Sequence, residues 1–157
     1  MAETIIFYGE YEATVDSKGR FLVPGGLRKQ MPEGDNRFMI NRGFEGCLNI
    51  YPIKNWEVVV AEVISKSDYD PKNRLFKRQF LAGATIVEID SAGRILIPPS
   101  LKEHAGLGKD VMLASIGNRI ELWDAGKYKK LFEASSAEEF SKLAEEVMTG
   151  KVDKLNS

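Results

Sequence analysis

The segment Asp16-Ser17-Lys18-Gly19-Arg20-Phe21-Leu22-Val23-Pro24 returns 74 residues later as Asp90-Ser91-Ala92-Gly93-Arg94-Ile95-Leu96-Ile97-Pro98. An internal duplication constrains the fold ahead of any local propensity, because both copies are expected to build the same supersecondary unit. The match extends to either side. Gly9 aligns with Gly83, Leu27 with Leu101, Arg37-Phe38-Met39-Ile40 with Asp110-Val111-Met112-Leu113, and Leu48-Asn49-Ile50-Tyr51 with Ile120-Glu121-Leu122-Trp123. This divides the chain into a first repeat over 9–56, a helical connector over 57–82, a second repeat over 83–128, and a C-terminal helix and tail over 129–157.

Each copy reads as strand, Gly-containing turn, strand, brief helix and two further strands, an α+β and β-rich pattern. Phe21-Leu22-Val23 and Ile95-Leu96-Ile97 are apolar at successive positions, which predicts strands covered on both faces within a single barrel. Pro24 and Pro98 end them, because proline cannot donate to a ladder. Short helices are expected around 27–31 and 101–105, the second stopped by Gly106. Trp56, Val59, Val60, Val63 and Ile64 form one apolar helical stripe in the connector. Asp70-Pro71 supplies an N-cap and first-turn proline for a second helix ending near Gly83. Ser136-Ala137-Glu138-Glu139 is a capping box opening a helix with Phe140, Leu143, Ala144, Val147 and Met148 on one face, and the tail from Lys151 reads as frayed.

Chemistry-bearing residues are few. Of 157 residues, 22 are basic and 23 acidic, with a single cysteine and a single histidine. One cysteine cannot form an internal disulfide, and Cys47 and His104 together are too few for a metal cluster or a His-dependent catalytic set. Both read as packing or surface residues. No catalytic residue, metal, cofactor or small-molecule substrate is expected. No apolar run approaches the ~20 residues of a membrane span, so the chain reads as cytoplasmic with no membrane partner.

The repeated turn is the remaining candidate. In Asp-Ser-x-Gly-Arg the aspartate can accept backbone N–H bonds, the glycine supplies positive φ, and the arginine can fold back onto the aspartate. That reading makes Asp16, Gly19, Asp90 and Gly93 structural and leaves Arg20 and Arg94 open. Their guanidinium groups either brace the turn or reach phosphates or guanine edges. Residues 16–42 hold six basic residues against three acidic ones, and 70–78 four against one, so a nearly neutral chain can still carry a basic face.

Gly9-Glu10-Tyr11-Glu12, the two D-x-x-x-R segments, Arg42-Gly43-Phe44-Glu45-Gly46-Cys47-Leu48-Asn49-Ile50-Tyr51-Pro52 and Phe80-Leu81-Ala82-Gly83-Ala84, in this order, resemble the MraZ family of bacterial transcriptional regulators. The resemblance implies two SpoVT–AbrB-like halves forming one pseudo-symmetric swapped-hairpin barrel with connecting and C-terminal helices. It implies a ring-shaped homo-oligomer, nucleoid-associated, that binds short direct repeats in double-stranded promoter DNA of the cell-division and cell-wall gene cluster, its own promoter included. The family's DNA-binding arginines map onto Arg20 and Arg94, and the basic residue before the first motif glycine onto Lys18. Copy two has Ala92 at the position of Lys18. The alternative from another class is a ring-forming protein-interaction scaffold whose D-x-x-G-R turns are purely structural.

Overall fold

The computed structural model describes residues 4–133 and 135–150, so the frayed-tail reading, which falls on 151–157, lies outside them. Each copy has the expected element order. The first comprises β1 (Glu10–Thr14), β2 (Arg20–Leu22), α1 (Gly25–Arg28), β3 (Arg37–Arg42) and β4 (Leu48–Pro52). The second comprises β5 (Thr85–Glu88), β6 (Arg94–Leu96), α4 (Pro99–His104), β7 (Asp110–Ser115) and β8 (Ile120–Asp124). Between them run α2 (Ile53–Ser65) and α3 (Pro71–Ala82), and α5 (Ala125–Leu131) and α6 (Ala137–Met148) follow. The fold class is α+β, with six helices among the described residues.

The copies interleave. A six-stranded antiparallel sheet runs β1-β7-β8-β4-β3-β5, and β2 pairs with β6 in a separate two-stranded ribbon. β1 of the first copy lies on β7 of the second, β5 of the second lies on β3 of the first, and β4 pairs with β8 across the copies. The residues up to Gly126 form one compact unit. The strand ladder is open, with β1 and β5 at its edges, and is not closed into a barrel.

One core cluster draws on both copies: Phe21, Leu27, Phe38 and Ile40 from the first meet Ile95, Leu101, Val111 and Leu113 from the second. A second cluster gathers Tyr51, Trp56, Val63 and Phe80, so the connector stripe packs on the sheet through Trp56 and Val63. Ile64, at the end of that stripe, is exposed.

Strands β2 and β6 depart from expectation. Phe21 and Val23 are buried, as are Ile95 and Ile97, but Leu22 and Leu96 are 59% and 53% exposed. Strand side chains alternate in direction, and this ribbon has core on one side only. Three consecutive apolar residues therefore do not mean two covered faces here.

The brief helices start earlier than expected because each preceding proline serves as the N-cap. Pro24 O accepts from Leu27 and Arg28, and Pro98 O from Leu101 and Lys102. Gly106, at φ +58°, ends α4 as expected, with Gly106 N–H donating to Glu103 O and Leu107 N–H to Lys102 O in a Schellman closure. Asp70 accepts from Lys72 N at 2.8 Å to cap α3. Ser136 Oγ accepts from Glu139 N at 3.1 Å to cap α6, which carries exposed Phe140, Leu143 and Val147 along one side.

Candidate nucleic-acid interface

The two repeated turns have the same internal bonding. Asp16 Oδ1 accepts from the backbone N–H groups of Lys18 and Arg20, each at 2.9 Å, and Oδ2 accepts from Arg20 Nε at 3.0 Å. Asp90 repeats the arrangement with Ala92 N, Arg94 N and Arg94 Nε at 2.9, 2.9 and 3.1 Å. Gly19 and Gly93, both at φ +84°, donate back to Asp16 O and Asp90 O. A Cβ at either position would meet only ordinary van der Waals contacts, so the backbone angle rather than space selects glycine.

The bonding holds both carboxyl groups below the usual carboxylate range. For Asp16 the main cause is the Arg20 backbone N–H, with those of Lys18 and the Arg20 side chain adding to it. For Asp90 it is the Arg94 backbone N–H, followed by that of Ala92 and the Arg94 charge. Hydrogen bonds donated to a carboxylate favour its ionised form.

What joins the turns is the β2–β6 ribbon. Its register sets Arg20 opposite Leu96, Phe21 opposite Ile95, and Leu22 opposite Arg94. Alternation then places Arg20, Leu22, Arg94 and Leu96 on one outward face and Phe21 with Ile95 on the core face. The ladder continues into the turns, with Val23 N donating to Gly93 O and Ile97 N to Gly19 O, each at 2.9 Å. A pseudo-twofold relation centred on Phe21 and Ile95 therefore exchanges the two Asp-braced arginines. Each arginine gives Nε to its aspartate, and its Nη groups have no partner among the described residues. Each arginine's charge is balanced by its own aspartate, which leaves exposed Lys18 as the uncompensated cation of the two loops.

The wider basic stretches are less available than their composition implies. Arg37 is paired with Asp35 at 3.1 Å, and Arg42 donates to Gln79 O. Lys77 reaches Asp68 and the Lys66 carbonyl, and Arg74 reaches the Asp68 carbonyl, so both tie down the loop between α2 and α3. Burial pushes the Cys47 thiol up to about 12, with Glu121 beside it adding to the shift, and His104 lies exposed on α4. Among the described residues no group of three or more His, Cys, Asp or Glu could hold a metal, and no helix is long and apolar enough to cross a membrane.

The sequence reading missed Leu22 and Leu96 as part of this face. Their parity with Arg20 and Arg94 along each strand was a usable signal, but their pairing across the copies was not.

Fold and site together define a duplicated α+β module that presents two Asp-braced arginines on one intramolecular ribbon. A family model described as "MraZ protein, putative antitoxin-like" matches residues 6–79 and again 80–150, one match for each half. "Transcriptional regulator MraZ" of Christiangramia forsetii is 43% identical over 89% of this chain and 91% of its own length. The proteins of the same name from Flavobacterium psychrophilum and Cytophaga hutchinsonii are 42% and 37% identical, over 89% and 90% of this chain and 90% and 94% of their own. The chain belongs to the MraZ family. Its relatives are named as regulators and not as enzymes.

Proposed function

We propose that this chain is a sequence-specific DNA-binding transcriptional regulator, with Arg20 and Arg94 as its base-reading residues and Lys18 as a phosphate contact. The observation that carries the reading is the pair of arginines on the outward face of one ribbon, each fixed through Nε by an aspartate, which leaves its Nη donors available. A braced guanidinium has lost most of the freedom it would otherwise lose on binding, and its fork matches guanine O6 and N7. Asp16, Gly19, Asp90 and Gly93 shape the turns. The regulators' name among the relatives supports DNA as the partner.

In this reading the repeats over 9–56 and 83–128, joined by 57–82 and followed by 129–157, form one module of exchanged hairpins around an open sheet. The crossed pairing of β1 with β7 and β5 with β3 supports that arrangement. Copies of the chain assemble into a homo-oligomeric ring, because several similarly oriented ribbons multiply the modest affinity of each for short direct repeats. Family resemblance points to promoter DNA of the cell-division and cell-wall cluster, the protein's own promoter included, and to a cytoplasmic, nucleoid-associated protein.

Footprinting on the DNA upstream of the protein's own gene, at stated salt, is the test. The double variant Arg20→Lys and Arg94→Lys keeps charge but not the fork. It is expected to stay folded and lose about 1–3 kcal/mol per guanine contact on the specific site. Lys18→Ala is expected to weaken all sequences alike and to lower the log–log salt slope by about one. Unchanged affinity and selectivity in the folded arginine variant would return both arginines to a bracing role and favour the ring scaffold.

A further inference from the structure

Leu22 and Leu96 stand on the same ribbon face as the arginines, and both are more than half exposed. Each lies across the ladder from the arginine of the other copy, Leu22 from Arg94 and Leu96 from Arg20. Each also leans over the other copy's turn, Leu22 Cδ1 lying 3.5 Å and Leu96 Cδ1 3.8 Å from where a Cβ on Gly93 and Gly19 would sit. The face therefore consists of two equivalent pairs of a guanidinium and an isobutyl group. Neither copy supplies a complete pair by itself.

This pairing bears on what the arginines touch. A phosphate is surrounded by water and charge, where an adjacent leucine gains nothing from contact. The major groove offers guanine acceptors beside the C5-methyl of thymine, the one apolar group that base pairs expose there. A two-stranded ribbon fits that groove. Residues directly opposite on it, as Leu22 is to Arg94 and Leu96 to Arg20, lie about 4.5–5.5 Å apart at Cβ, between one and two base steps. We infer that Leu22 and Leu96 are specificity-determining residues that contact thymine methyl groups next to the guanines met by Arg94 and Arg20. This inference rests on the DNA-binding reading above and adds thymine-methyl recognition to it.

The test uses the full chain and a duplex selected from a random-sequence pool, with fluorescence anisotropy at fixed salt as the readout. Replacing thymines of the selected site by deoxyuridine removes only the methyl group. The wild-type protein is expected to lose about fourfold in affinity per contacted methyl, the value of one buried methyl group. Leu22→Ala with Leu96→Ala is expected to bind both duplexes equally, because the groups that sensed the methyl are gone. Leu22→Met with Leu96→Met keeps an apolar contact and is expected to retain the dependence, which separates recognition from any change in folding. If deoxyuridine costs the wild type nothing while Arg20→Lys and Arg94→Lys still lose selectivity, the leucine assignment fails and the regulator reading survives. If no duplex is enriched over the pool, both fail.

Discussion

Asp16 and Asp90 each accept three hydrogen bonds through one carboxylate, and this holds the arginines in place. Their native pKa values lie below the unfolded value of about 3.9, so the stabilisation is complete above that value and is lost as pH falls through the lowered native one. Thermal melts are expected to be flat in this contribution from neutral pH down to about 4 and to decline below it. Asp16→Asn with Asp90→Asn should remove that part of the acid sensitivity, and an unchanged acid profile would count against it. The acceptor role of these aspartates was readable from Asp-Ser-x-Gly-Arg alone, because every donor lies within four residues. Sequence could not choose between bracing and reaching for Arg20 and Arg94. The structure shows the bracing bond, Nε to the aspartate in both turns, and sets the two arginines on one face of the ribbon.

At the scale of the element, β2 and β6 are three-residue strands whose neighbouring side chains have opposite fates. Phe21 is 1% exposed and Leu22 59%. Phe21→Ala should cost about 3–5 kcal/mol in denaturant unfolding, as for other large-to-small changes in a packed core. Leu22→Ala should stay within about 0.5 kcal/mol, as for surface sites that fill no cavity. Similar losses at the two positions would mean that the ribbon's outer face is covered in solution. Caps made of local atoms were legible, including Asp70-Pro71 for α3 and Ser136 with Glu139 for α6. α5 went unforeseen because Ala125–Leu131 carries no apolar stripe, and it begins directly after β8 as α2 does after β4.

Across the whole molecule the two copies are mutually dependent. β1, β2 and β4 of the first copy pair with β7, β6 and β8 of the second, and β5 pairs back onto β3. A half-chain therefore leaves unpaired edges and halves a core that both copies fill. Separately expressed 1–82 and 83–157 are expected to lack cooperative unfolding by circular dichroism in urea and to regain it when mixed. Cooperative unfolding of either half alone would show that it is a self-sufficient domain.

The sequence by itself determined the duplication, the strand, turn and helix order within each copy, the acceptor aspartates and positive-φ glycines, the N-caps of α3 and α6 and the glycine stop of α4. Each of these depends on interactions within a few residues, so a linear reading captures them. Only the tertiary structure decided that the copies exchange strands, that Leu22 and Leu96 face outward, and that the two arginines share one surface. Those outcomes depend on which strand pairs with which over separations from 45 residues (Ile40 to Thr85) to 104 (Glu10 to Ala114), and residues with the same local pattern can be buried or exposed according to whether core lies on one side of the ribbon or both.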